Sequence, residues 1–311
     1  MQKPVEPSTA AIRPIDALAV ASLVLCCAIW GVNQVAMKVA NDGIPPMLQA
    51  GLRSVLAGVV VGLWCVMRAV PLFARDRTLW AGLACGTTFA ANFMCVGPGL
   101  SLTEASRGVL FYYSAPFFVA LGAHYLIPGE RLNLAKVAGL VLAFAGLVVS
   151  VSDRLGAPAT STSSLLGDGL CLGAGLFWAC STLIIRLTPL ARAAPEKTLL
   201  YQLVVSAPLL LIGSHLMAER STMDLTPLVL SAFAYTIVIV VVFSYALWFW
   251  LLRRYPAAEV SAFTFLGPVF AVAAGAILLD EPITWRHGAA LALIAAGLVL
   301  VTRPAPRGMS S

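Results

Sequence analysis

Ten times between Ala17 and Thr302 the chain runs for about twenty residues with almost no charge, the length and character of a helix that crosses a bilayer. Hydrocarbon offers backbone N–H and C=O groups no partner except each other, so stretches like these have little choice but to be helical. They fall near residues 17–37, 47–67, 78–97, 104–127, 133–152, 167–187, 198–217, 227–251, 257–279 and 285–302. Polar or proline-bearing breaks separate them, such as "NDGIPP" (41–46), "RAVPLFARDR" (68–77), "GAPATSTSS" (156–164) and "AERSTMDLTP" (218–227). The breaks at 97–103 and 253–256 are the weakest, which makes nine spans the rival count. Only 11% of the 311 residues are charged, against about a quarter in a soluble domain. The expected fold class is an all-α membrane protein of ten transmembrane helices.

Lysine and arginine set the expected orientation. With the N-terminus inside, fourteen of the twenty fall on inner segments, and Lys38, Arg53, Arg107, Arg154, Arg220 and Arg286 fall outside. The excess places both ends in the cytoplasm of a bacterial-type inner membrane. The first span is too long for a cleavable signal core and is expected to remain. The tails, 1–16 and 303–311, are rich in proline and polar residues and are expected to be unstructured. The net charge of +6 is scattered between apolar runs, which suits an anionic bilayer face and argues against nucleic acid. Seven cysteines, an odd number without a CxxC pair, read as packing thiols and not as a disulfide frame or a metal site.

The chain also repeats itself. "AIWGVNQVAMKVA" (28–40) aligns with "LFWACSTLIIRLT" (176–188), which sets Trp30 on Trp178 and Lys38 on Arg186. Pro116 of "YSAPFFVAL" falls on Pro268 of "FLGPVFAVA". After a one-residue gap Glu130 meets Glu281, and Gly146 meets Gly297. The expected organisation is a first five-helix repeat (17–152), a linker (153–166) and a second repeat (167–302). Five is odd, so the second copy enters from the opposite side, and such inverted repeats carry substrate sites at their interface in secondary transporters. Pro116 and Pro268 would then free the carbonyls of Tyr112 and Thr264 and kink two helices around an interior cavity, the only kind of place where freed backbone is tolerable.

"WGVNQVAMKVANDGIPPMLQAGLR" (30–53), "PGERLNLAKVAGLVLAFAGL" (128–147) and "LDEPITWRHGAALALIAAGL" (279–298) together resemble the drug/metabolite transporter superfamily, in its ten-helix EamA-type branch. The resemblance covers about Ala17 to Val301. It implies a carrier of small metabolites (amino acids, related metabolites or drugs), often an exporter, that works by alternating access.

Polar residues within the spans are the candidate pocket. Asn33, Gln34, Asn92, Tyr112, Tyr245 and Thr264 can supply the few placed hydrogen bonds a mostly apolar site needs, though interhelical bonding is the commoner role for such groups. Trp30 and Trp178, midway along their spans, can stack on a ligand or pack between the repeats. Arg53, the deepest arginine, can hold a substrate carboxylate or pair with a glutamate. His124 and Glu259 can change protonation during a cycle, or simply cap and snorkel. Glu130 and Glu281 read as caps on the glycine-rich helices that follow them.

No GxxxxGK[ST] loop, HExxH or Cys/His cluster is present, and His124, His215 and His287 stand on separate segments. No ATP-driven pump, cofactor or metal is implied, and no obligate protein partner is evident. The competing class is a membrane-embedded enzyme acting on a lipid-linked substrate. It would need clustered acids or histidines, and the short loops are poor in both.

Overall fold

The computed structural model describes residues 13–152, 162–219, 222–279 and 284–303, and the secondary structure in these residues is all helical. Ten helices are long and apolar enough to cross a membrane. They are α1 (Ala17–Gly43), α2 (Pro46–Met67), α3 (Leu79–Leu102), α4 (Ala105–Tyr112 with Ala115–Leu126) and α5 (Leu134–Val151). The second five are α6 (Thr162–Leu187), α7 (Pro195–Leu216), α8 (Pro227–Arg254), α9 (Ala257–Leu279) and α10 (Trp285–Thr302).

Local chemistry starts the helices where the sequence changes character. The Asp16 carboxylate accepts from the Ala19 N–H at 2.8 Å, Asn133 accepts from Lys136 N–H at 2.8 Å, and Thr226 from Val229 N–H at 3.2 Å. Prolines 46, 195 and 227 open α2, α7 and α8, where a missing N–H costs nothing. Three helices run about five residues or more beyond the spans expected from hydropathy, α6 at its start and two at their ends. α1 continues to Gly43, and α3 passes through Pro98 to Leu102, so the true break comes at Thr103–Glu104. Pro98 removes one N–H from the ladder of α3 without ending the helix. Of the N-terminal tail, residues 13–16 are ordered: Arg13 N–H donates to the Arg254 carbonyl at 2.9 Å, and Asp16 accepts from the Tyr255 hydroxyl at 3.0 Å. Residues 1–12 and 304–311, Glu281, and the linker over 153–161 lie outside the described residues. Residues 162–166 of the expected linker are the first turn of α6.

Contacts between the helices come in matched sets. α2 lies on α7 and α5 on α10, while α1 on α9 is answered by α6 on α4, and α1 on α8 by α6 on α3. The α5–α10 crossing shows the match atom by atom. A Cβ on Gly146 would stand 2.8 Å from the Ala290 carbonyl oxygen and 3.1 Å from Ile294 N. A Cβ on Gly297 would stand 2.5 Å from the Gly139 carbonyl oxygen and 2.7 Å from Ala143 N. Adding 151 to 139, 143 and 146 gives 290, 294 and 297, so one contact converts into the other. Only residues without a side chain let two backbones approach this closely.

Loops follow the same pattern. Glu219, after α7, accepts from the N–H groups of Met47 and Leu48 at the start of α2, at 3.0 and 2.9 Å. Asp76, after α2, takes the Lys197 ammonium at 2.8 Å near the start of α7. The Lys197 ammonium, and next the Thr78 hydroxyl, hold the Asp76 carboxyl down at about 2 from its ordinary 3.8. A carboxylate whose pKa falls on folding stabilises the fold above its unfolded pKa and loses that contribution as pH drops through the folded value. Detergent-solubilised protein is therefore expected to lose thermal stability as pH falls from 3.8 toward about 2, and Asp76→Asn to flatten that slope. An unchanged melting profile in the variant would show that the tie contributes nothing.

Candidate functional site

One face of α1 reveals where the bundle is open. Ala19, Leu23, Cys26 and Cys27 share that face in the first half of the helix and are fully buried. Trp30, Asn33, Gln34, Met37, Lys38 and Asn41 continue it at three- and four-residue spacing, and there the surface is partly or fully exposed. α9 changes in the same way: every residue from Ala257 to Gly267 is buried, and from Pro268 to Ala273 every one is partly exposed. The halves Ala115–Leu126 of α4 and Ala257–Ala262 of α9 pack together, whereas Ala105–Tyr112 and Gly267–Leu279 form no comparable contact. α4 and α9 thus pack on each other in the half of the bundle that carries residues 13 and 303, here the terminal face, and part in the other half, where α9 stays packed on α1.

Both partings begin at the matched prolines. α4 breaks at Tyr113–Ser114, and α9 passes through a 3-10 turn, Phe263–Leu266, before Pro268. The two carbonyls expected to be freed have different fates. That of Thr264 accepts the Gly267 N–H, because the tightened turn supplies a donor three residues on. That of Tyr112 abuts Gly175, where a Cβ would stand 2.6 Å from the oxygen.

Where the halves diverge, aromatic rings form a continuous floor. Trp30 meets Trp178 edge-on at 6.5 Å, Tyr245 edge-on at 6.3 Å and Trp248 at 5.2 Å. Trp178 stacks on Tyr112 at 6.2 Å and on Trp248 at 5.9 Å. Tyr245 continues to Phe89 at 6.0 Å and Phe89 to Phe93 at 5.0 Å. The floor draws on α1, α3, α4, α6 and α8, so it lies between the two halves of the chain. Its polar atoms are few and placed. Trp30 Nε1–H donates to Ser244 Oγ at 2.9 Å, and Asn92 Nδ2–H donates to the Ala174 carbonyl at 2.7 Å beside the Tyr112 hydroxyl.

α8 is aimed at this floor by an unexpected device. From Thr236 to Ser244 it widens into a π-helix, and the Tyr245 N–H reaches back five residues to the Val240 carbonyl. Such wide turns recur at functional sites because they rotate the following side chains and loosen the ladder. Here Tyr245 and Trp248 follow the wide turn.

The sequence-derived candidates separate into two groups. Trp30, Trp178, Tyr112 and Tyr245 meet in the floor, Asn92 braces it, and Asn33 and Gln34 stand on the exposed stripe of α1 above it. Arg53 is buried one ring away, its guanidinium carbon 5.0 Å from the centroid of Phe93. No glutamate pairs with it among the described residues. Thr264, His124 and Glu259 belong instead to the closed end. The Thr264 hydroxyl donates to the Ser261 carbonyl at 2.7 Å, His124 Nδ1 accepts from the Leu132 N–H at 3.1 Å, and Glu259 pairs with Lys136 at 2.9 Å.

Glu130 corrects the sequence reading. The helix that follows it is capped by Asn133, while Glu130 crosses to the other half of the chain and caps α9 by accepting from the Ala257 N–H at 2.7 Å. Its second oxygen pairs with Arg186 at the end of α6, whose Nη1–H donates to the Leu252 carbonyl of α8 at 3.0 Å. One buried carboxylate thus ties the α4–α5 turn to α6 and α9, and through Arg186 to α8. Trp248, Gln49 and this tie were not singled out from sequence. A tryptophan three residues after Tyr245 was a usable signal, but the partner of Glu130 lies 56 residues away and left none.

The EamA-like transporter family matches the chain in two stretches, residues 17–152 and 165–303. A probable amino-acid metabolite efflux pump of Escherichia coli (strain K12) is 29% identical over 286 residues, covering 89% of this chain and 92% of its own length. An uncharacterized transporter of Bacillus subtilis (strain 168) is 28% identical over 298 residues, covering 92% and 90%. One solved crystal structure shares the fold with a TM-score of 0.80 at 20% identity, over 92% of this chain and 96% of its own.

Proposed function

The chain belongs to the EamA-like transporter family, a membrane transporter and not an enzyme, and from that premise we propose that it exports a small metabolite by alternating access. The cargo class we favour is an amino acid or related metabolite, after the name carried by the Escherichia coli relative. The parting of α4 and α9 above an aromatic floor, with the opposite end tied shut, carries this reading. A ligand entering there would meet Trp30, Trp178, Tyr112 and Tyr245 as walls, with Asn33, Gln34 and Asn92 as polar contacts. Arg53 would supply charge beside that wall. Pro116 and Pro268 would act as the hinges, and the glutamate–arginine tie as the gate at the terminal face.

The matched contacts support two inverted repeats, 17–152 and 167–302. In such a pair, exchanging the conformations of the halves turns an opening on one face into an opening on the other. Arg13, Arg186, Arg192, Lys197, Arg253 and Arg254 all lie at the tied end, which supports placing that face and both chain ends in the cytoplasm. The state described would then be open to the outside, ready to release cargo or reset. Reconstituted protein in liposomes loaded with amino acids and related metabolites is expected to release a subset of them faster than protein-free vesicles. If no compound leaves or exchanges above that background, the export reading fails.

A further inference from the structure

Two side chains on α2 are buried with polar atoms that have no hydrogen-bond partner. Gln49 is 0% exposed, and neither its amide nitrogen nor its amide oxygen has a hydrogen-bond partner. Arg53, one turn along the same face, is 1% exposed with Nη2 unpartnered. No carboxylate lies within ion-pair distance of it among the described residues. The Phe93 ring face offsets only part of what it takes to keep a guanidinium out of water. Single buried atoms elsewhere also lack a partner, among them Asn33 Oδ1, Arg186 Nε and Gln202 Oε1, but among the described residues only Gln49 has both ends of its side chain open, and Arg53 stands one turn from it. A fully buried amide with both ends open, next to a guanidinium with an open nitrogen, calls for a partner that comes and goes.

We propose that Arg53 and Gln49 form a carboxylate subsite of the transport pocket, and this rests on the export reading above. A guanidinium presents a planar fork that matches two carboxylate oxygens, and the Gln49 amide adds one N–H donor. The Gln49 carbonyl oxygen is left to accept from an N–H group next to the carboxylate. One guanidinium beside a neutral amide matches a single negative charge, which favours a monocarboxylate over a phosphate ester. Tyr245, whose ring touches both Trp30 and Phe89, links the subsite to the aromatic floor. The ligand class is therefore a carboxylate with an adjacent amine or amide N–H and an apolar body.

The test pairs acids with their neutral amides. Liposomes containing the full chain are loaded with an equimolar mixture of the common amino acids and the corresponding amino-acid amides, and release of each is measured. Wild type is expected to prefer acids over the matching amides by about tenfold or more, since a site built to hold a polar group strongly rejects an analogue that leaves it unpaired. Arg53→Met is expected to bring that ratio near one, Arg53→Lys to keep part of it, and Gln49→Leu to lower it several-fold. Equal release of acid and amide by wild type, or an undiminished ratio in Arg53→Met, overturns the subsite and leaves transport standing. Release of nothing overturns both. A second readout does not depend on cargo: without ligand, Arg53→Met should melt no lower than wild type, because it removes an unpaired buried charge. A lower melting temperature, or failure to fold, would make Arg53 a structural residue and refute the subsite.

Discussion

Glu130→Ala is expected to open the terminal face. The side chain it removes is 2% exposed and faces Arg186 at 6%, so the substitution leaves a guanidinium enclosed without its counter-charge. Breaking a buried pair from one side typically costs about 3–5 kcal/mol, which corresponds to a shift of roughly a hundred- to several-thousandfold in the balance between closed and open ends. The same change strips the cap from the Ala257 N–H, so α9 loses its anchor at the moment α6 is released. Cys27 reports the outcome. It lies buried at the closed end with its thiol 3.2 Å from the Phe263 carbonyl, and it should become reactive toward a hydrophilic maleimide in the variant. Arg186→Met should act in the same direction. The double variant Glu130→Ala, Arg186→Met should label less than either single change, because it leaves no lone buried charge. If the double variant labels as much as the sum of the two singles, the pair is not a unit, and the gate must be held elsewhere.

That tie also marks the limit of what the sequence could say. The ten spans were legible because hydrocarbon forces a length and an apolar character that no loop shares. The breaks near Pro116 and Pro268 were legible for a related reason: a residue without an N–H removes a bond from a helix interior, although α7 runs on through Pro208. Helix ends were less so, since hydropathy does not register that Asn41 and Asp42 can finish a helix at the membrane edge. The destination of a long-range carboxylate was not legible at all. Glu130 stands three residues before Asn133, and local rules could not decide which of the two caps α5. The π-turn of α8 was equally hidden, because "TIVIVVVFS" is apolar throughout and offers no period from which a wider helix could be told. The aromatic floor was half visible: Trp30, Trp178, Tyr112 and Tyr245 stood out as large or polar groups at mid-span, whereas Trp248 and Phe89 read as ordinary apolar filling.

Replacing both Pro116 and Pro268 with alanine is expected to slow transport sharply while the protein still inserts and folds. Alanine returns an N–H to each helix; the Tyr112 carbonyl stands four residues back to accept it, and the Thr264 carbonyl can do so when the 3-10 turn releases the Gly267 N–H. Proline costs a helix interior about 3 kcal/mol relative to alanine, so each substitution favours the straight, continuous helix by a comparable amount. In the present structure the break in α4 at Tyr113–Ser114 and the 3-10 turn in α9 coincide with the level at which the bundle changes from packed to parted. Straightening both helices would therefore favour one arrangement of the two halves over the other. Thermal stability should hold or rise, and turnover in liposomes should fall by about tenfold or more, since a bias of a few kcal/mol toward one state depletes the other by that factor. Each single variant should show a smaller loss, because the remaining proline still lets one half bend. Unchanged turnover in the double variant would mean that the kinks only shape the pocket, and that the halves move about some other point.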